Sequence, residues 1–377
     1  MKPASPQTCL TKESPVSRNP VSRTPVHRIL GLTSIRFALA AAGFFAITAA
    51  SALADPPAAL TPASANPQAL AALKSGDDAF AKQDYKTAVA DYNSAAAADP
   101  HLEAAYTHCG DALCVSHDYA NALIQYQKAI DLGNADTQAL IRHARCAFNL
   151  NDIDTAMADC NKALDIDMRC EDAWMLRGNC YVAKLDDSTA AADYSEAVAL
   201  DPKNGDTWYA AGYAFYYNSQ WQATIFALTQ AINLRPKFAL SYVYRGEAYW
   251  KLHQYDQALA DEKQAETLDP KNFLAHVFNG NILSSQKNWD AAMAELNEGV
   301  RLAPEVAEPW NDRAACEIDA GNYQAAIADS QKALSIYPAY DEAQRNLKVA
   351  LSNSQNTGNS SSFGNNSGLN NPITIRH

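Results

Sequence analysis

Residues 171–204 read EDAWMLRGNCYVAKLDDSTAAADYSEAVALDPKN, and residues 205–238 read GDTWYAAGYAFYYNSQWQATIFALTQAINLRPKF. Laid over one another, they align Trp174 with Trp208, Gly178 with Gly212, Ala197 with Ala231 and Pro202 with Pro236. The step is 34 residues, and it carries in both directions through eight units from Ala69 to Tyr340. The eighth position of the units holds Gly76, Gly110, Ala144, Gly178, Gly212, Gly246, Gly280 and Ala314. The twentieth holds Ala88, Ala122, Ala156, Ala190, Thr224, Ala258, Ala292 and Ala326. The twenty-seventh holds Ala95, Ala129, Ala163, Ala197, Ala231, Ala265, Gly299 and Ala333.

Small residues at three fixed positions let two antiparallel helices approach closely. Position 17 follows the turn between them and is mostly aromatic: Tyr85, Tyr119, Trp221, Tyr255, Trp289 and Tyr323. A ring there can fill the gap between neighbouring units. Position 32 is proline in six units, Asn134 and Met168 being the exceptions. Proline does not continue a helix, so it separates one pair from the next. One such pair does not bury its apolar face alone; stacking makes a continuous core.

These positions resemble the tetratricopeptide repeat family. The fourth unit carries nearly the whole signature, with Trp174, Leu176, Gly178, Tyr181, Ala190, Tyr194, Ala197 and Pro202. The resemblance covers 272 of 377 residues. It implies an all-α, right-handed solenoid of antiparallel helix pairs over 69–102, 103–136, 137–170, 171–204, 205–238, 239–272, 273–306 and 307–340. Unit 3 departs most, with Ala144, Ile153 and Met168. Unit 6 has Glu262 where a large apolar residue is usual, and unit 8 has Glu317 where tyrosine is usual. After unit 8, Ala343, Leu347, Ala350 and Leu351 form one stripe, which predicts a capping helix over 341–351.

The chain begins with a basic stretch carrying Lys2, Lys12, Arg18, Arg23, Arg28 and Arg36, followed by an uncharged run from Phe37 to Ala54 that ends Ala52-Leu53-Ala54. Basic, apolar and small-x-small segments in that order describe a secretory signal peptide over 1–54, cut after Ala54. The rival reading is an uncleaved short anchor; both place the repeats outside the cytoplasm, periplasmic or secreted. Residues 55–68 read as a Pro/Ala linker, and 352–377, rich in Ser, Asn and Gly, as a disordered tail.

The whole chain has 30 Lys/Arg against 42 Asp/Glu. Losing six basic residues and one acidic residue with 1–54 leaves 24 against 41, a net charge near −17. That disfavours nucleic acid and anionic lipid as partners; a membrane association would come only from an uncleaved N-terminal segment. Seven cysteines remain, an odd number that cannot be a closed disulfide framework. They read as small apolar side chains. Cys146 and Cys180, equivalent positions on stacked helices, are spaced too widely for a bridge. His108, Cys109, Cys114 and His117 hold metal-ligand chemistry, but Cys109 and Cys114 point some 140° apart on a helix and do not converge on one ion. The sequence holds no HExxH, phosphate-binding glycine loop or GxSxG. The reading is therefore a non-enzymatic protein with no cofactor and no metal.

In the family, positions 2, 5, 9, 12 and 13 of the first helix line the concave face. By register, this implies a partner-binding set of Phe148, Met175, Asn179, Asp206, Tyr209, Tyr213, Tyr216, Tyr217, Val243, Glu247, Trp250 and Lys251. Four tyrosines on one helix exceed what packing needs, and Tyr and Trp suit binding surfaces. Asp77, Asp111, Asp172, Asp206, Glu247, Glu308 and Asp319 stand at the same positions, against Arg145 and Lys251. An aromatic centre in an acidic channel fits a peptide with apolar and basic residues. Chaperone-docking members of the family hold an acidic tail with Lys and Asn at positions 5 and 9, and no unit here has that pair. The expectation is an exported interaction scaffold; the alternative is a carbohydrate or small-ligand module using the tyrosines.

Overall fold

The computed structural model describes residues 66–133 and 136–362. Residues 1–65, which hold the expected signal peptide and most of the expected linker, residues 134 and 135, and residues 363–377 lie outside the described residues. Seventeen helices are described, with no strand among them. Units 1 to 8 contribute α1 (Pro67–Ala81) and α2 (Tyr85–Ala98), α3 (Glu103–Val115) and α4 (Tyr119–Asp131), α5 (Thr137–Asn149) and α6 (Ile153–Ile166), α7 (Glu171–Ala183) and α8 (Asp187–Leu200), α9 (Gly205–Tyr217) and α10 (Trp221–Leu234), α11 (Ala239–Lys251) and α12 (Tyr255–Leu268), α13 (Phe273–Ser285) and α14 (Trp289–Leu302), and α15 (Ala307–Ala320) and α16 (Tyr323–Ile336); α17 (Asp341–Ser362) closes the stack. Each helix packs most closely on its partner in the unit, and each second helix packs on the first helix of the next unit. First helices also meet one another along most of the stack, which places them on the inside of its curve. This is the antiparallel-pair solenoid that the period implied.

The turn within each unit is built the same way eight times. Position 15 is left-handed in every unit, at Gln83, His117, Asn151, Leu185, Ser219, His253, Lys287 and Gly321. In the first four units an aspartate then caps the second helix: Asp84, Asp118, Asp152 and Asp186 accept from the backbone N–H of Thr87, Asn121, Thr155 and Thr189. Such caps satisfy N–H groups that the helix itself leaves orphaned.

Two side-chain locks repeat as well. Position 4 donates to the carbonyl six residues earlier: Trp174 to Met168 at 2.9 Å, Trp208 to Pro202 at 2.9 Å, Tyr242 to Pro236 at 3.0 Å and Trp310 to Pro304 at 3.0 Å. The lock uses the carbonyl rather than the proline ring, which is why Met168 serves in unit 3. Position 7 pairs with an aspartate at position 23. Arg177, Arg245 and Arg313 grip Asp193, Asp261 and Asp329 with two bonds each, between 2.6 and 2.9 Å. His143 reaches Asp159 at 2.6 Å in unit 3.

Both expected ends of the helical region shift. The first helix begins at Pro67, inside the stretch read as linker. Asn66 caps it through the N–H of Gln68 at 2.9 Å, and its amide donates to the Ala98 carbonyl at 2.9 Å. Proline at the start of a helix lacks only an N–H that would be orphaned anyway. The closing helix, expected to stop at Leu351, runs to Ser362. Ala343 and Ala350 are fully buried, and Gln324 of unit 8 still reaches Ser354 at 2.6 Å. No proline interrupts the segment before Pro372.

Candidate partner-binding face

The inner face comes from the first helices, so its character depends on how neighbouring first helices meet. They meet tightly. Tyr209, Tyr213 and Tyr216 are buried, with 2%, 1% and 7% of their surface exposed. Val243, Glu247, Phe148 and Met175 are also buried. The open aromatic patch expected from the register is therefore corrected: these rings fill the seam between units 5 and 6. Tyr244, which the register reading missed, is the centre of that seam. Its ring lies 5.2 Å from Tyr213, 5.1 Å from Tyr216, and 6.4 Å from Tyr209 and from Tyr217. The contact with Tyr213 is edge-to-face and the others are tilted; such ring pairs add to what burial alone contributes. Burial holds the hydroxyls of Tyr209, Tyr216 and Tyr244 far above the usual phenol range.

The rest of the expected set keeps solvent contact. Asn179, Asp206, Tyr217, Trp250 and Lys251 are partly exposed. The Lys251 ammonium sits 4.1 Å over the Trp250 ring and 3.3 Å from Glu247 Oε1. The Tyr216 hydroxyl donates to Glu247 Oε2. The Trp250 indole donates to Ser285 Oγ at 2.9 Å, and Asp206 pairs with the Arg235 guanidinium.

The expected acidic channel divides in two. Toward the N-terminus its carboxylates have internal partners. Asp77 takes the Tyr92 hydroxyl and the His108 ring at 3.0 and 2.8 Å. Asp111 takes the Tyr126 hydroxyl at 2.7 Å and faces Arg142 at 3.5 Å, while Asp172 faces Arg145 at 3.5 Å. Toward the C-terminus the acids crowd one another. Burial, then the charges of Asp312, Glu247 and Glu342, push the partly exposed Glu308 carboxyl well above its usual range, with Lys251 the opposing charge. Glu247 is also raised by burial, against the pull of Lys251 and Tyr216. Asn281 donates to Asp312 at 2.8 Å. Glu247 and Glu308 thus lie near the Lys251 ammonium with Asp312 and Glu342 acting on Glu308, and Glu342 itself faces Arg345 at 3.6 Å; Trp250 and Tyr217 are partly exposed.

Two metal readings can be set against the geometry. His108, Cys109, Cys114 and His117 disperse to Asp77, Asn93, Cys146 and Tyr119 respectively. Elsewhere, ligand atoms of Glu266, His276 and Glu295 lie within 4.8 Å of one another. His276 sits at position 4 and bonds the Pro270 carbonyl at 3.3 Å, as Trp and Tyr do in other units. Its other nitrogen meets Glu295 at 2.8 Å, which raises the imidazole toward the charged form. A protonated ring explains this arrangement as a repeat lock. No described helix is long and apolar enough to cross a membrane.

Comparisons with known proteins agree with the fold. Family models described as tetratricopeptide repeat match residues 137–168, 209–273 and 279–341. The chain is a tetratricopeptide repeat protein. Among solved structures, it is similar to one titled as the APC/C hetero-tetramer Cut9-Hcn1, with 18% identity and a TM-score of 0.53 over 74% of this chain. The match spans 55% of that chain, about half its length. A repeat protein from Parabacteroides merdae matches with 16% identity and a TM-score of 0.48, over 76% of this chain and 100% of that one. YrrB, titled a TPR protein with an unusual peptide-binding site, matches with 19% identity and a TM-score of 0.37, over 50% of this chain and 97% of that one. At these identities the likeness concerns the fold. No curated protein matches the chain.

Proposed function

We propose that this protein is an exported interaction scaffold, not an enzyme, whose inner face receives a partner segment carrying basic and apolar side chains. The observation that carries this reading is the acidic group of Glu247, Glu308 and Asp312 beside Lys251, which sits 3.3 Å from Glu247, with Glu342 near Glu308 and paired with Arg345 at 3.6 Å. Like charges held together raise one another's proton affinity, and an incoming Lys or Arg relieves the repulsion. The exposed edges of Trp250 and Tyr217 offer apolar area beside that charge. The carbohydrate alternative loses support, because a sugar platform needs an open ring face and three of the four tyrosines are buried. Export rests on the N-terminal signal and the Ala52-Leu53-Ala54 site.

Fluorescence anisotropy with labelled peptides tests the binding claim. Peptides pairing Lys or Arg with aromatic residues should bind saturably, and more weakly as salt rises. Trp250→Ala with Glu308→Gln should lower that affinity about tenfold or more, while circular dichroism stays unchanged. Saturable binding of glycan fragments with no peptide binding would overturn the reading. N-terminal sequencing of native protein should give a start near Asp55; a membrane-bound product starting before Phe37 would replace cleavage with anchoring.

A further inference from the structure

The seven described cysteines are free thiols. Five of them sit in the packing as small apolar groups. The other two form a pair that equivalence between units does not reveal. Cys114, at position 12 of unit 2 on α3, brings its sulfur 2.8 Å from the sulfur of Cys146, at position 10 of unit 3 on α5. A disulfide needs the sulfurs at about 2.05 Å, so less than about 1 Å of approach separates contact from bond. We propose that Cys114 and Cys146 form a reversible disulfide that clamps unit 2 to unit 3, made by exchange with a low-molecular-weight disulfide such as oxidised glutathione.

The two thiols differ in the way that exchange requires. Cys114 is partly exposed, so an oxidant can reach it; Cys146 is fully buried. The Cys114 thiol is lowered, first by its hydrogen bond with Cys146 and then by the Tyr126 hydroxyl at 3.7 Å and the Arg145 charge. Cys146 is raised by its bond to Cys114 and by burial. The thiolate is the attacking species, and Cys114 is the thiol of the pair that a dissolved disulfide can reach, which makes it the nucleophile. Its sulfur bonds to one sulfur of glutathione disulfide and expels the first glutathione thiolate. Cys146 then loses its proton to that thiolate or to water, attacks the Cys114 sulfur and expels the second. Two protein thiols are oxidised and one glutathione disulfide is reduced to two thiols. Cys160 and Cys180, by contrast, are fully buried, and burial pushes the Cys180 thiol up to about 12.

The bridge would tie first helices of adjacent units, and with them the Tyr126–Asp111–Arg142 contacts of the same seam. It also accounts for the odd cysteine count, since the remaining five need no partners. The test uses the folded wild-type chain, equilibrated in glutathione buffers from reducing to oxidising, quenched in acid, alkylated with N-ethylmaleimide and mapped by peptide mass spectrometry. The expected result is one linkage, Cys114 to Cys146, forming as the buffer becomes oxidising. The melting temperature should rise with it and return on adding dithiothreitol. Cys146→Ser should stop at a single glutathione adduct on Cys114, Cys114→Ser should give neither adduct nor bridge, and Cys180→Ser should behave as wild type. Cys114 and Cys146 both alkylated in the most oxidising buffer would overturn the proposal, as would a bridge of either to another cysteine in protein that circular dichroism shows to be folded.

Discussion

Glu262 is a carboxylic acid set inside the solenoid's packing. It is fully buried, and neither carboxyl oxygen has a hydrogen-bond partner. It stands at position 24, where Tyr92, Tyr126, Tyr194, Leu228 and Leu296 pack in other units. Burial, with the nearby charges of Glu247, Asp261 and Glu266, holds it protonated well above the usual range. Glu317 is raised in the same way, to about 7, by burial and then by Asp329. In both cases the folded state keeps a proton that the unfolded state releases near 4.5. Stability is therefore full below that pH and falls as pH climbs from about 4.5 toward 7 and beyond. Glu262→Leu should stabilise the chain by about 1–3 kcal/mol at pH 7 and flatten part of this slope, read from urea melts at pH 4.5, 5.5 and 7. A variant less stable than wild type at pH 7 would mean that the carboxyl has a partner. Position 15 makes the opposite point, because seven side chains accept a left-handed backbone there and only unit 8 uses glycine. Gly321→Ala should cost about 1 kcal/mol through its φ of 85° alone, since nothing lies within 4 Å of the added carbon. Leu185→Gly should be neutral or slightly stabilising in the same melts.

The pairing of helices within a unit follows a size rule that the departures from the repeat make visible. A methyl added at Gly178 would meet the Tyr194 ring at 2.6 Å, and one at Gly280 would meet Leu296 at 2.6 Å. Units 3 and 8, which carry Ala144 and Ala314 instead, have Cys160 and Ser330 at position 24. Glycine faces a large side chain, and alanine faces a smaller one. Gly178→Ala should then destabilise by about 1–3 kcal/mol in denaturant melts, whereas Ala144→Gly in unit 3 should cost about 1 kcal/mol, the ordinary penalty of glycine in a helix. Equal large losses would refute the rule. Period, helix pairing and closing helix were all legible in the sequence, because small residues at positions 8, 20 and 27 are constrained inside each unit. The inner face was less so. Whether position 5 or 9 meets water or a neighbouring helix depends on the rotation between units, which no single unit encodes. The signal that existed was a spacing of 31 rather than 34. Asp77 with His108, Asp111 with Arg142, Tyr213 with Tyr244 and Asn281 with Asp312 all join position 9 to position 6 of the next unit. Tyr213→Ala consequently tests packing: it should cost about 3–5 kcal/mol, not leave the fold intact.

A stack of this kind owes its stability to unit and interface contributions that add along one axis. Its ends are where that sum is weakest, and the C-terminal end is sealed by α17. Tyr340 and Ala343 pack with Ala307 and Ala333, while Trp310, Leu334, Ile336 and Tyr337 border them. Asn346 donates to Asn311 Oδ1 at 2.9 Å, fixing the closing helix on α15. Ending the chain after Tyr340 would open this cluster to water and leave the polar contact of Asn311 unmade. Units far from the cut would lose nothing directly, because each helix touches only near neighbours in sequence. Native-state hydrogen exchange on the truncated chain should therefore show amides of α15 and α16 exchanging about thirtyfold faster, the equivalent of about 2 kcal/mol of lost local stability. Amides of α5 to α8 should keep nearly their original protection. If protection fell equally in every helix, the solenoid would be one cooperative block, and interfaces such as the Tyr244 seam would be coupling all its units together rather than joining neighbours.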